Sequence, residues 1–112
     1  GTQTRCFCHV HDTIRGLRSL MNARETSGEI FNVGSQERIR ILDLADRVKV
    51  MTGSRSGLEF IPYEEVYGLG IEDMFHRIPA IDKIAAAIGW EPTLTLEQIL
   101  TDVVAYVRHG PI

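Results

Sequence analysis

The chain has 112 residues, of which 12 are Lys or Arg, 15 are Asp or Glu and 44% are hydrophobic, giving a formal net charge of −3. This length allows one domain with a real core, and the near-average composition excludes disordered, collagen-like and disulfide-scaffold proteins. The slightly acidic balance argues against a nucleic-acid-binding protein, because contacts with phosphate backbones require clustered basic residues. No apolar run approaches the roughly 18 residues of a membrane span, and no signal-peptide pattern occurs.

The beginning of the chain has two unusual features. It starts at Gly1 and runs almost at once into an apolar stretch, whereas natural domains usually have a frayed lead-in. We therefore expect a piece of a longer protein. The cysteines in this stretch, Cys6 and Cys8, are the only two in the chain, which suggests a reducing compartment and a cytoplasmic location.

The first part of the chain predicts strand, helix and strand. Residues 4–10 are expected to form a short strand, and Asp12 to cap a helix whose apolar residues recur at helical spacing. The short apolar run Glu29–Val33, closed by Gly34, predicts a buried strand.

The middle of the chain predicts a helix, a strand and a long loop. One apolar stripe from Ile41 to Met51 indicates the helix, and Gly53 stands where a C-cap glycine belongs. Residues 58–61 are the third strand candidate. Residues 63–78 show no consistent period, which is typical of a binding loop or a lid.

The last part of the chain predicts two helices. Asp82 is expected to cap a short helix that Gly89 ends, with Trp90 folding back onto it. Thr95 and Gln98 fit a capping box at the start of a longer amphipathic helix. The alternation of strands and helices implies an α/β fold, here a small helix-rich domain with a few short strands. Because so few strands barely make a sheet, we expect the missing ones upstream.

The cluster Cys6, Cys8, His9 and His11 raises the question of a metal site. Along a strand, the cysteines point one way and the histidines the other, so the four side chains cannot converge on one tetrahedral ion. We therefore predict small buried cysteines, partly exposed histidines and no metal.

Two arginines are candidate anion ligands. Arg5 lies on a predicted strand among apolar neighbours, and Arg77 ends the long loop. Guanidinium groups in such places bind phosphate or carboxylate well, although surface ion pairs are the alternative. Gly68-x-Gly70 lacks the preceding strand and following helix of a phosphate loop, and the neighbouring acids Glu72 and Asp73 are expected to be solvated. No local catalytic signature occurs.

Five short motifs then occur in a characteristic order: Gln3-Thr4-Arg5-x-Phe7, Phe31-Asn32-Val33-Gly34, Arg77-x-Pro79-x-Ile81-x-Lys83, Ile88-Gly89-Trp90-Glu91-Pro92 and Leu96-Glu97. In this order the chain resembles, over residues 1 to about 108, the C-terminal substrate-binding part of the NAD-dependent epimerase/dehydratase family. These enzymes are the extended short-chain dehydrogenases/reductases. The nucleotide-sugar 4-epimerases and UDP-glucuronate decarboxylases are the most similar members.

The resemblance implies a fold and a role for the whole chain. Residues 1–112 would be a C-terminal nucleotide-sugar-binding domain, normally packed on an upstream Rossmann domain that holds NAD and is absent here. In the family, the arginines that correspond to Arg5 and Arg77 contact the nucleotide diphosphate. Gln3, on the same strand face as Arg5, is a weaker candidate for substrate binding.

Three positions depart from the pattern that the resemblance implies. Many members have Asp where Ala80 stands, a second arginine where His76 stands, and Ser or Thr where Arg40 precedes the second helix. The first and last of these differences would affect only capping or local pairing. His76 leaves a single arginine at its site, which would weaken the binding of the diphosphate.

The glycine-rich dinucleotide loop and the Tyr-x-x-x-Lys pair of the family do not occur in these 112 residues. The chain alone is therefore expected to be inactive and to bind no NAD, while the full-length parent would be an NAD-dependent epimerase acting on a UDP-sugar. A decarboxylase or 4,6-dehydratase is the alternative within the family, and a stand-alone non-catalytic binding module is the alternative class. We also expect the chain to self-associate and the parent to be a dimer.

Overall fold

The computed structural model describes residues 1–70 and 73–111. Within them the chain forms two short strands, which pair in a two-stranded sheet, and five α-helices. In chain order these are β1 (Thr4–Cys6), α1 (Val10–Asn22), β2 (Arg38–Arg40), α2 (Ile41–Thr52), α3 (Tyr63–Tyr67), α4 (Asp82–Ile88) and α5 (Leu96–His109). The predicted fold class, a small helix-rich α/β domain with few short strands, is confirmed.

The chain divides into two units. The first unit consists of Gly1–Arg5 and Ile39–Arg77, and the second of Cys6–Arg38 and Ile78–Ile112. Both arginines singled out in the sequence, and most of the stretch expected to be a loop, lie in the first unit. The main apolar core lies in the second.

The core of the second unit forms around Trp90, whose side chain is only 1% exposed and packs with Ile81 and Ile84. The indole Nε1 donates a hydrogen bond to the backbone carbonyl of Asp12 at 3.0 Å. A Cβ at Gly16 of α1 would lie 3.0 Å from the same Nε1, so glycine is what lets the helix approach the ring. The prediction that Trp90 folds back onto the short helix is confirmed.

Three predicted helix ends are confirmed. Gly53 after α2 and Gly89 after α4 adopt left-handed conformations with φ of 66° and 64°, as C-cap glycines do. At the start of α5, the Thr95 hydroxyl accepts from the backbone N–H of Gln98, and the Gln98 side chain accepts from the backbone N–H of Thr95. These signals are local, so each one could be predicted without knowing the rest of the fold.

The strand predictions are wrong in extent or in kind. The first strand ends at Cys6 instead of continuing to residue 10, and residues 29–33 and 58–61 form no strand. Within residues 29–33, Phe31 and Val33 pack against the Trp90 core, while the Asn32 side chain donates to the carbonyl of Ala80. Their apolar character therefore reflects side-chain packing and not a place in a sheet.

Two predicted helix caps are also wrong. The N-cap of α1 is His9, whose Nδ1 accepts from the backbone N–H of His11, and Asp12 lies inside the first turn. The N-cap of α4 is Ile81, which makes no side-chain capping bond, and Asp82 is the first helical residue. In both helices the carboxylate lies near the positive end of the helix dipole, which favours an acidic residue without requiring a cap.

The stretch from residue 63 to residue 78 is not wholly irregular. It begins with the short helix α3, and near its end Thr4 and His76 form an isolated parallel bridge. No helix among the described residues is both long and apolar enough to cross a membrane.

Candidate functional site

Arg5 lies in the middle of β1, and its guanidinium group is nearly surrounded by acceptors. Nη1 donates to the carbonyls of Thr4 and Met74, both at 2.8 Å, and Nη2 donates to the carboxylate of Asp73. The side chain remains 21% exposed. Arg5 is therefore held in one orientation with part of its fork still reachable from solvent.

Arg77 is placed next to Arg5 by the bridge between their neighbours. The backbone N–H of Thr4 donates to the carbonyl of Phe75 at 2.8 Å, and the Thr4 hydroxyl is 2.9 Å from His76 Nδ1. Because Arg5 and Arg77 directly follow the two bridged residues, their backbones lie on neighbouring segments, which are about 4.8 Å apart where strands pair. Arg77 is exposed and makes no hydrogen bond or ion pair to the rest of the described chain.

Gln3 lies in a cleft of the first unit with a volume of about 400 Å³. Its side chain is half-buried, and its backbone carbonyl accepts from the N–H of Ile41 at 3.0 Å. Phe60 and Tyr63 provide aromatic wall, and Asp73 provides a carboxylate. The cleft therefore combines apolar surface with a few polar groups, as small-molecule sites do.

Asp73 is the residue of this site that sequence reasoning missed. It was expected to be solvated, yet its carboxylate pairs with Arg5, which lies 68 positions away in the sequence. No local pattern signals such a contact. Only the parallel bridge between Thr4 and His76 shows that the two segments run side by side.

Arg40, which departs from the pattern of the resembling family, has a separate role. Its Nε and Nη2 donate to both carboxylate oxygens of Asp43, at 2.7 and 2.8 Å, across the start of α2. The hydrogen bond from Arg40 lowers the pKa of Asp43 from its ordinary value, and the same pair raises that of Arg40. Arg40 is thus a bound surface cation in the same unit as the candidate site.

The second unit contains a different cleft, of about 670 Å³, between the start of α1 and the face of α5. His9 is only 5% exposed there, and its Nε2 lies 2.9 Å from Asp102. Because His9 Nδ1 accepts a backbone N–H, the neutral ring carries its proton on Nε2 and donates it to Asp102. The expectation that both histidines are partly exposed is therefore wrong for His9.

The Cys and His cluster does not gather around one point. In the part of the chain that the structure describes, no group of three or more His, Cys, Asp or Glu side chains is placed to hold a metal ion. Cys6 and Cys8 are free and half-buried. Burial raises the pKa of the Cys6 thiol, although nearby Arg38 opposes the shift.

The residues that the structure describes do not fit an NAD site. The phosphates of a dinucleotide bind at the N-terminus of a helix, after a glycine-rich turn that follows a strand. Gly68 instead ends α3, with φ of 87°. No Tyr-x-x-x-Lys pair occurs either.

Comparison with known proteins relates the whole chain to nucleotide-sugar enzymes, although no family model matches it. It is 32% identical over 109 residues to a UDP-N-acetyl-α-D-glucosaminuronate decarboxylase of Bacillus cytotoxicus, covering 97% of the chain and 34% of that protein. It is 37% identical over 106 residues to the UDP-glucuronic acid decarboxylase 1 of Danio rerio, covering 95% of the chain and 23% of that protein. The chain thus spans about a third or less of the length of these relatives.

Solved structures show the same relation in three dimensions. A UDP-glucuronic acid 4-epimerase from Bacillus cereus, in complex with UDP-glucuronic acid and NAD, superposes with a TM-score of 0.82 at 27% identity. The match covers 96% of this chain and 33% of that one. MoeE5, in complex with UDP-glucuronic acid and NAD, matches with a TM-score of 0.84 at 20% identity, which shows the fold alone.

The resemblance found in the sequence is therefore confirmed. The homologues of this chain are nucleotide-sugar decarboxylases, and its fold is that of the C-terminal third of NAD-bound nucleotide-sugar epimerases.

Proposed function

We propose that this chain binds the diphosphate and sugar of a UDP-hexuronic acid, as the substrate-binding part of an NAD-dependent epimerase. Arg5 and Arg77 are the diphosphate ligands, and Gln3 is a further substrate contact. The chain itself supplies no catalytic residue and binds no NAD. The cofactor, which carries out the redox chemistry, belongs to the rest of the parent enzyme.

The observation that carries this proposal is that Arg5 and Arg77 directly follow the bridged residues Thr4 and His76, and that Asp73, which Arg5 binds, lines a cleft. A diphosphate between nucleoside and sugar carries two negative charges, which lose much of their hydration on binding. Charge-assisted bonds from two guanidinium groups offset that loss. Arg5 already has a fixed orientation, and Arg77 has no competing partner among the described residues.

The cleft next to Arg5 supports a ligand larger than a free phosphate. Its volume of about 400 Å³ lies within the usual range for small-molecule sites, and its wall includes Phe60 and Tyr63. The half-buried side chain of Gln3 offers both a donor and an acceptor there. Such a lining suits a ring with hydroxyl groups attached to the diphosphate.

The relatives support the substrate class. The two decarboxylases act on UDP-sugars with a uronic acid, and the Bacillus cereus epimerase is named for UDP-glucuronic acid. A UDP-hexuronic acid is what these substrates share. Decarboxylation is the second candidate reaction, favoured by the 37% identity to the Danio rerio enzyme. Epimerisation is favoured by the fold match.

The test is an NMR titration of the ¹⁵N-labelled chain with UDP-glucuronic acid, because NMR detects binding even at millimolar affinity. We expect shifts that saturate at the amides of Thr4, Arg5 and the segment 74–77. Uridine, which has the base without phosphates, is the matched control and should leave these amides unmoved.

Two outcomes would contradict the proposal. If UDP-glucuronic acid moves none of these amides, the chain is a binding module of another kind. If uridine moves them as much as the nucleotide sugar does, the site recognises the base and the two arginines are not its ligands.

Assembly and location follow from features outside this site. The apolar residues of one α1 stripe, Val10, Ile14, Leu17 and Met21, are all half-exposed or more. We propose that this stripe promotes self-association of the chain and that the parent is a dimer, since soluble proteins seldom leave such a stripe uncovered. The free thiols of Cys6 and Cys8 support a cytoplasmic location.

A further inference from the structure

The guanidinium group of Arg5 has two halves with different partners. Nη1 is anchored by two backbone carbonyls, those of Thr4 and Met74, which carry no net charge. Nη2 is bonded to a full negative charge, the carboxylate of Asp73. The protein therefore fixes the plane of the group with one half and presents the other half to an anion.

The carboxylate of Asp73 is the more accessible member of this pair. Its side chain is 37% exposed, and Arg5 is its only hydrogen-bonding partner in residues 1–70 and 73–111. Asp73 also lines the cleft that contains Gln3. It can therefore turn towards solvent without breaking any other bond that the described chain makes.

A carboxylate and a phosphate compete for the same position on a guanidinium group, because both accept its parallel N–H donors through oxygen atoms. We propose, on the basis of the function proposed above, that Asp73 holds the phosphate position on Arg5 in the free protein. When the ligand binds, its diphosphate displaces the carboxylate of Asp73. Asp73 is thus a specificity-determining residue that acts through Arg5.

This competition selects for ligand charge. A ligand with a single charged group, such as a carboxylate, only replaces the carboxylate of Asp73 with its own and gains little on Arg5. A diphosphate brings two charges, so it replaces Asp73 on Arg5 and also engages Arg77. The exposed carboxylate then moves away from the bound phosphate, which removes a repulsion that would otherwise oppose binding.

The test compares the UDP affinity of the full chain with that of Asp73→Asn and Asp73→Ala, using the same NMR titration. We expect both variants to bind UDP about tenfold more tightly than the unmodified chain. The matched control is Glu65→Gln, which removes one exposed negative charge from the same unit without touching Arg5. It should change the affinity less than twofold. In an Arg5→Ala background, Asp73→Asn should give no gain.

The outcomes separate this inference from the proposed function. If the unmodified chain binds UDP through Arg5 but Asp73→Asn and Asp73→Ala bind it equally or more weakly, Asp73 orients Arg5 and the competition is wrong, while the proposed function stands. If Glu65→Gln raised the UDP affinity as much as the Asp73 variants do, this would also contradict the proposed competition, because the change in net charge would then explain the higher affinity. If no variant binds UDP, both proposals fail.

Discussion

Replacing Arg5 or Arg77 by alanine is expected to weaken the binding of UDP-glucuronic acid by about tenfold to a hundredfold. A hydrogen bond to a charged group contributes roughly 1.5–3 kcal/mol, which corresponds to this range of affinity. Arg77→Ala should have the larger effect, because Arg77 has no competing partner among the described residues, whereas the phosphate must displace Asp73 from Arg5. Lysine at either position should restore only part of the affinity, since it keeps the charge but not the fork.

The control for both substitutions is Arg40→Ala. It removes a cation of the same kind from the same unit, but one that is bound to Asp43 across the start of α2. Its effect on UDP-glucuronic acid affinity should be small. If Arg5→Ala and Arg77→Ala change the affinity no more than Arg40→Ala does, the assignment of the diphosphate site is wrong.

Replacing Asp12 by alanine is expected to lower the free energy of unfolding by about 3 kcal/mol or more. The side chain is only 2% exposed, and it accepts from the backbone N–H groups of Thr93 and Leu94, from the Thr93 hydroxyl and from Arg15. Without the carboxylate these part-buried donors lose their acceptor, and the segment before α5 loses three of its hydrogen bonds to α1. Urea unfolding at neutral pH measures the loss. Asp46→Asn, an exposed site, should be nearly neutral.

The same carboxylate makes the stability depend on acid. Burial alone would raise the pKa of Asp12, but the hydrogen bonds from Arg15, Leu94 and Thr93 outweigh it and hold the pKa well below its ordinary value of 3.8. Because the folded-state pKa is the lower one, the stabilisation is complete above about pH 4 and is lost as the pH falls further towards the folded-state pKa. Asp12→Asn should remove this part of the acid dependence. An identical slope of stability against pH in both proteins would contradict this explanation.

Features of the fold that depend on local chemistry could be predicted from the sequence. The capping box at Thr95 and Gln98 and the glycines that end α2 and α4 each act within a few residues. Trp90 was also placed correctly, because a large apolar side chain directly after a helix-ending glycine can pack back on that helix.

Features that depend on distant partners could not be predicted in the same way. Asp12 resembles a cap because aspartate is a frequent capping residue, but two of the backbone N–H groups that donate to its carboxylate lie more than 80 positions away, at Thr93 and Leu94. The apolar run at residues 29–33 has the composition of a strand, yet whether it pairs depends on a neighbouring strand that the run itself does not specify.

The candidate site also has some features that local sequence indicates and others that depend on distant partners. Arg5 and Arg77 could be singled out from their residue type and from the ordered motifs around them. Their adjacency is visible only through the bridge between Thr4 and His76, and the pairing of Arg5 with Asp73 only through the tertiary structure. The sequence therefore indicates the cations of the candidate site, while the carboxylate that pairs with one of them is seen only in the fold.

A crystal structure of the chain with UDP-glucuronic acid would test the proposed diphosphate site. We expect diphosphate oxygens within hydrogen-bonding distance of both Arg5 and Arg77, Arg5 Nη1 still bound to the carbonyls of Thr4 and Met74, and Asp73 turned away from Nη2. A diphosphate bound elsewhere on the chain, with Arg5 still paired to Asp73, would contradict it.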